Sequence, residues 1–138
     1  MNHRAKVALG CGITGGVLII FLHGPWLGGI GLPALAFVGA AIAGAGFSAF
    51  FGGQGRRGWL MAALGSVVAT LVGSFVAGLP LTLLYAINGA PAVLLIPPAF
   101  VFAVIAGLAG EPLCLPVWLL GMAATHLAAR REQTFPSG

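Results

Sequence analysis

Acidic side chains are nearly missing from this chain. Its 138 residues contain two glutamates, Glu111 and Glu132, and no aspartate. Charged residues of both signs make up 6% of the sequence, whereas a soluble globular domain carries about a quarter. The chain therefore has almost no carboxylates with which to form a catalytic pair, and its few polar groups cannot cover a water-facing surface.

Catalytic and metal-binding motifs are also absent from the sequence. The two cysteines, Cys11 and Cys114, are too far apart in sequence to form a CxxC or another metal-ligand motif. The chain has no G-x-S-x-G, H-E-x-x-H, phosphate-binding loop or dinucleotide fingerprint. We therefore expect no enzymatic activity, no catalytic residue, no metal site and no cofactor.

Long apolar runs take the place of these features. Hydrophobic residues make up 59% of the chain, glycine occurs 23 times, and the mean hydropathy is +1.09. Strands of a membrane barrel would alternate apolar and polar residues. Runs such as "GVLIIFL" and "GSVVATLVGSFVAGLPLTLLYAI" are continuous instead. The composition predicts an all-α, polytopic integral membrane protein with a single transmembrane domain over residues 1–138.

Glycine, proline and charge divide the chain into five apolar segments followed by a polar tail. "GGQGRRG" separates the second segment from the third, "NGAP" follows the third, and "GEP" separates the fourth from the fifth. The segments cover about 7–23, 33–51, 59–85, 92–110 and 113–129, and the tail covers 130–138.

Basic residues indicate how these segments cross the membrane. They form three pairs at segment ends: Arg4 and Lys6, Arg56 and Arg57, Arg130 and Arg131. Such pairs are topology signals rather than a nucleic-acid groove, and they favour a cytoplasmic N-terminus in a bacterial inner membrane. An even number of crossings puts all three pairs inside. We therefore expect four transmembrane helices plus a re-entrant hairpin or interfacial fourth segment, broken at Pro97 and Pro98. Five full crossings are the alternative.

Small residues recur at four-residue spacing, which lets helix backbones approach closely in lipid. Such positions pack helices within one bundle or form an interface with a second copy or another subunit. The candidates are Gly12 and Gly16 in the first segment, Ala40 and Gly44 in the second, and Ser66, Thr70 and Ser74 in the third.

Four polar residues are candidates for function because ionisable and polar groups are costly in a membrane. Glu111 precedes Pro112 and either marks a turn near the interface, the preferred interpretation, or is a buried functional carboxylate. His23 and His126 are possible haem or pigment ligands. In the four-crossing model they lie at opposite ends of the bundle and could not share one haem, whereas in the five-crossing model both lie on the outer side. At an interface each is expected to be hydrated. Asn88 lies in a turn.

Two hypotheses for function follow. The first is a non-catalytic accessory or assembly subunit of a larger membrane complex, suggested by small-residue helix faces without a catalytic group. The second is a small oligomeric transporter or channel, in which "IPPAF" (96–100) belongs to a broken helix with Glu111, Asn88 and Thr82 nearby. The partners expected are the lipid bilayer and other membrane subunits or a second copy.

Overall fold

A computed structural model describes residues 1–23, 31–89 and 93–130. These residues form five α-helices, with short 3₁₀ turns at Ser48–Phe50 and Val93–Leu95. The helices are α1 (His3–His23), α2 (Gly31–Gly46), α3 (Gly55–Ile87), α4 (Ile96–Gly110) and α5 (Cys114–Arg130). The predicted all-α fold is confirmed for this part of the chain. Most of the predicted tail, beyond Arg130, lies outside the described residues.

Three stretches are long and apolar enough to cross a membrane: His3–Leu22, Gly55–Ile87 and Val93–Gly110. The first and third helices begin about four residues before the predicted segments, so Arg4, Lys6, Arg56 and Arg57 lie in their first turns. The second helix is shorter than predicted because it ends at Gly46 and a 3₁₀ turn follows. At 16 residues it is about 24 Å long.

The first three helices pack antiparallel in chain order. A Cβ placed on Gly16 would lie near Pro33, and one placed on Gly44 would lie against Val7, so α2 runs back along α1. Gly65 lies against Phe50 and Gly73 lies against Ala40 and Gly39, so α3 runs back along α2. The start of α1, the end of α2 and the start of α3 therefore lie together.

The last two helices run in the same direction, one after the other. Along α3, Pro97 of α4 lies against Gly78, while in α5 Trp118 bonds to Thr70 and His126 contacts Trp59. The α1 contacts have the same order: Leu22 meets Gly107, Thr14 meets Gly121 and Gly10 meets Thr125. The two helices thus form a single path, antiparallel to both α1 and α3 and interrupted at residues 111–113.

This arrangement corrects the expected re-entrant hairpin. Pro97 and Pro98 do not break the fourth segment, because they occupy the first turn of α4, where a backbone N–H has no helical partner to lose. From there α4 is continuous to Gly110 and does not turn back. Pro80, inside α3, likewise leaves that helix continuous in this structure.

The path of the chain brings basic residues to one end of the bundle, called the basic end below. Arg4 donates a hydrogen bond from Nε to the carbonyl oxygen of Ala45 near the end of α2, at 3.1 Å. Arg56 and Arg57 begin α3, and Arg130 ends α5. Gly52 joins these elements, since a Cβ on it would lie 3.1 Å from His3 and 3.2 Å from the Ala129 carbonyl oxygen.

Candidate functional site

The predicted small residues of α1 and α2 lie where these two helices approach each other. A Cβ on Gly12 would lie 3.1 Å from the Phe37 carbonyl oxygen and 3.2 Å from the Ala41 Cβ. One on Gly16 would lie 3.4 Å from the Pro33 carbonyl oxygen. The distances at Gly12 leave almost no room for a side chain, whereas a Cβ on Gly16 would make ordinary van der Waals contact with α2.

Gly44 is in a tighter position in the same contact. A Cβ there would lie 2.7 Å from the Cβ and 2.8 Å from the Sγ of Cys11, and 3.0 Å from the Val7 carbonyl oxygen. The structure places both Val7 and Cys11 in the core, at 0% and 1% exposure. The Cys11 side chain and the Val7 carbonyl oxygen therefore occupy the space where a side chain on Gly44 would lie.

Ala40 joins α2 to both of its neighbours. The Cβ of Ala40 lies 2.7 Å from where a Cβ on Gly15 of α1 would be. Its Cα lies 3.0 Å from where a Cβ on Gly73 of α3 would be. Sequence reasoning missed Gly39, whose added Cβ would overlap the Gly73 carbonyl oxygen. The four-residue spacing selected the face of α2 that carries Ala40, whereas Gly39 lies on the adjacent face. Together these two faces contact α1 and α3.

Three hydroxyl groups of α3 donate hydrogen bonds to carbonyl oxygens of their own helix. Ser66 donates to the Ala62 carbonyl oxygen and Ser74 to the Thr70 carbonyl oxygen, both at 2.7 Å. Thr82, another candidate, donates to the Gly78 carbonyl oxygen at 3.0 Å. Thr70 also accepts a 2.8 Å hydrogen bond from the indole N–H of Trp118, which links α3 to α5.

A small cavity lies at the centre of the bundle. It has a volume of about 40 Å³, close to the space that one or two waters need, and all five helices contribute to its lining. Its wall is apolar apart from Thr14, Thr70, Ser74 and Trp118, whose hydrogen bonds are made within the protein. This cavity is too small and too well satisfied to hold a solute.

Glu111 lies at the interruption between α4 and α5. Its backbone is extended (φ −94°, ψ 119°), as the following proline predicts, and its N–H still bonds to the Gly107 carbonyl oxygen at 2.9 Å. Gly110, Glu111 and Pro112 are all exposed. We expected a turn at the end of the bundle. The turn lies instead partway along it, because α5 continues in the direction of α4.

Exposed apolar side chains precede and follow Glu111 along the chain. Phe102 and Ile105 on α4 are 71% and 47% exposed, and Leu113 and Leu115 beyond the interruption are 59% and 46% exposed. The thiol of Cys114, three residues further on, is close enough to interact electrostatically with the carboxylate. The carboxylate therefore lies on an outer surface that is otherwise suited to lipid.

Asn88 and His23 end helices at the other end of the bundle. Asn88 is the C-terminal cap of α3, and its amide donates to the Leu84 carbonyl oxygen at 2.7 Å. This bond satisfies an otherwise free helical carbonyl, which is a structural role. His23 is the last residue of α1, and its side chain lies outside the described part of the structure.

His126 is buried, whereas the sequence predicts a hydrated histidine at the membrane interface. It is 0% exposed, and its ring lies against Trp59 with centroids 4.4 Å apart and planes at 45°. The Gly52 N–H donates to its Nδ1 at 3.1 Å. The loop between α2 and α3 thus closes over the histidine, which the spacing of α5 alone does not indicate.

The protonation of His126 follows from that hydrogen bond. A backbone N–H only donates, so Nδ1 must hold a lone pair and the neutral ring carries its proton on Nε2. Nε2 is buried and has no hydrogen-bond partner. In this form His126 offers a donor rather than a lone pair, and metal or haem ligation would require the Gly52 bond to break. The described residues hold no group of three His, Cys, Asp or Glu side chains able to bind a metal ion.

His3 is the functional candidate that sequence reasoning set aside. Its Nε2 donates to the Ser48 carbonyl oxygen at 3.0 Å, while its Nδ1 is buried without a hydrogen-bond partner. Gly52 lies near both histidines. No signal in the sequence paired His3 with His126, because 123 positions separate them and the loop geometry brings them to the same turn.

Comparisons with known proteins provide no assignment: no family model, curated protein or solved structure matches this chain.

Proposed function

We propose that this protein is an integral membrane protein of the cytoplasmic membrane that crosses the bilayer four times. We further propose that it serves as a non-catalytic subunit that docks another membrane protein at the interruption between α4 and α5. The observation that carries the docking proposal is the position of Glu111, an exposed carboxylate between apolar surfaces.

The outer surface supports a membrane location. Large apolar side chains are exposed along the helices, among them Leu60, Leu64, Leu83 and Leu120, which are 53–71% exposed. Water would penalise this surface, whereas lipid solvates it. Basic residues collect at the basic end, which is the side expected to face the cytoplasm.

The direction of α4 and α5 supports four passes. Successive full crossings must alternate in direction, yet both helices run antiparallel to α3. α4 alone has 15 residues, about 22 Å, which is shorter than a bilayer core of about 30 Å. Together with the preceding 3₁₀ turn, α4 forms an apolar stretch of 18 residues, which is long enough to cross a membrane. Five crossings are therefore the competing model. As one path, α4 and α5 return the chain to the basic end.

The interruption exposes polar groups that lipid cannot satisfy. Three residues between the helices lie outside regular structure, and the last carbonyl groups of α4 lack the partners of a continuous helix. A charged carboxylate at such a depth costs several kcal/mol unless it is paired or protonated. Irregular backbone at membrane depth is tolerated where protein covers it. A partner with a hydrogen-bond donor or a basic side chain at this depth satisfies both needs.

The interruption also favours the second candidate, an oligomeric transporter, because discontinuous helices line many substrate sites. The central cavity, however, has a volume of only about 40 Å³, which is too small for a transport path. In this candidate the path runs between copies at Glu111. A liposome flux assay distinguishes the candidates, since the subunit model predicts no flux from the purified protein.

Site-specific photocrosslinking tests the docking proposal. A photoreactive amino acid replaces Leu113, which is 59% exposed beside Glu111, or Leu83, which is 64% exposed on α3 and serves as the matched control. We expect a single protein adduct in native membranes from position 113 and only lipid adducts from position 83. The Glu111→Gln variant should reduce the adduct, whereas Glu132→Gln should leave it unchanged. Lipid adducts alone at position 113 would overturn the proposal.

Cysteine labelling tests the four-pass topology. In a variant without Cys11 and Cys114, a cysteine replaces either Ser137 or Glu111. An impermeant thiol reagent should label position 137 only after the membranes are opened without detergent, and position 111 in neither condition. The five-crossing model predicts labelling at position 137 in intact cells and at position 111 after opening.

A further inference from the structure

A groove separates α3 from α5 near the basic end. It has a volume of about 350 Å³, within the range of small-molecule sites, and its apolar wall includes Ser66, Trp118 and Ala123. Trp59 and His126 also line it. The groove therefore combines two indole rings with the one buried imidazole of α5.

His126 supplies the polar feature of this groove. Its Nδ1 is occupied by the Gly52 N–H, so its only free polar group is the Nε2 donor. A buried donor without an acceptor destabilises the protein, because it has lost its hydrogen bonds to water. The side chain is 0% exposed, and a bound hydrogen-bond acceptor would recover this free energy.

We propose that the groove between α3 and α5 binds the head ring of a membrane-soluble quinone, with a ring carbonyl oxygen accepting a hydrogen bond from His126 Nε2. The ring lies against Trp59, because an electron-poor quinone stacks well on an electron-rich indole. A hydrocarbon tail alone leaves the donor unsatisfied, and an anion is drawn to the nearby arginines rather than to a neutral N–H. This site is separate from Glu111 and does not depend on a docked partner.

The geometry also predicts how the ligand enters. In the present structure Trp59 covers the imidazole at 4.4 Å and is itself 41% exposed. Because Nε2 is buried, a ring can reach it only if a neighbouring side chain moves, and Trp59, which packs against the imidazole, is the side chain expected to move. Binding should therefore change the emission of Trp59.

Fluorescence titration of the purified full chain in mild detergent tests the proposal. The probe is a benzoquinone with a decyl tail, and decanol is the control for the tail. Ala123→Phe places a ring in the groove, whereas Ala124→Phe places the same ring on the next residue of α5, which lines a different groove beside α1. His126→Phe keeps a flat ring and removes the donor. Melting temperatures of all variants show whether each one folds.

We expect saturable quenching by the quinone that decanol does not reproduce. The dissociation constant should rise about tenfold in His126→Phe, which corresponds to the loss of one hydrogen bond. It should rise at least as much in Ala123→Phe, whose added ring occupies the groove, and stay unchanged in Ala124→Phe. Non-saturable quenching, or equal affinity in the Ala123→Phe and Ala124→Phe variants, would overturn the proposal. A phospholipid that co-purifies with the wild type but not with Ala123→Phe, and that prevents quinone binding, would also overturn the proposal. In that case a lipid ester would be the occupant of the groove.

Discussion

Replacing Gly44 with leucine should separate α1 from α2 and destabilise the protein. Even the first carbon of the new side chain would lie 2.7 Å from the Cys11 Cβ and 3.0 Å from the Val7 carbonyl oxygen. The second neighbour is backbone and cannot turn aside, so the helices must move. Overpacking of this kind costs about 1–3 kcal/mol, and a leucine should be at the upper end of that range. Leucine has a higher helix propensity than glycine by about 0.5–1 kcal/mol, which leaves a net loss of about 2 kcal/mol.

Gly46 provides the matched control on the same helix. It lies two residues further on, and a Cβ there would meet nothing within 4 Å. In a thermal unfolding assay in mild detergent, Gly44→Leu should lower the melting temperature by roughly 5–10 °C, while Gly46→Leu should leave it unchanged or slightly raised. If both variants melt within about 2 °C of each other, Gly44 is not at a close helix contact.

A double-mutant cycle sharpens this test. Cys11 contributes two of the three atoms that crowd Gly44, so Cys11→Gly makes room for an added methyl group. Gly44→Ala should cost less in the Cys11→Gly background than in the wild type, with a coupling free energy of about 0.5–1 kcal/mol. Strict additivity would show that Cys11 is not the neighbour that limits this position.

Three further substitutions test other contacts of the bundle. Gly39→Ala should lower the melting temperature at least as much as Gly44→Ala, because its Cβ would overlap the Gly73 carbonyl oxygen; an unchanged melting temperature would contradict the α2–α3 contact. Gly52→Ala should be more destabilising than Gly89→Ala by about 1 kcal/mol: both have positive φ (+87° and +68°), but only Gly52 has neighbours that meet a Cβ. Equal losses would mean that backbone strain alone explains both. Trp118→Phe should cost about 1 kcal/mol of unfolding free energy in the wild type and less in a Thr70→Val background, since the variants remove the same 2.8 Å hydrogen bond; equal losses in the two backgrounds would show that the bond contributes nothing.

The sequence alone determined the helical class and most helix positions. Apolar runs that are continuous rather than alternating favour helices over barrel strands, and glycine, proline and charge end them at places that local rules predict. The close contacts at Gly12, Gly16 and Gly44 follow the predicted spacing, because a small residue every fourth position lies on one helix face. Local rules also predicted that the backbone at Glu111 leaves the helix before Pro112.

Only the tertiary structure decided what that interruption does. The residues Gly-Glu-Pro allow the chain either to reverse or to continue, and contacts distant in sequence select continuation, with Thr14 against Gly121 and Leu22 against Gly107. The burial of His126 was likewise decided at a distance, by the Gly52 N–H and the Trp59 ring. A sequence pattern predicts which side chains lie on the same face of a helix. The direction of a helix in the bundle and the burial of a side chain depend on which helix faces pack against each other.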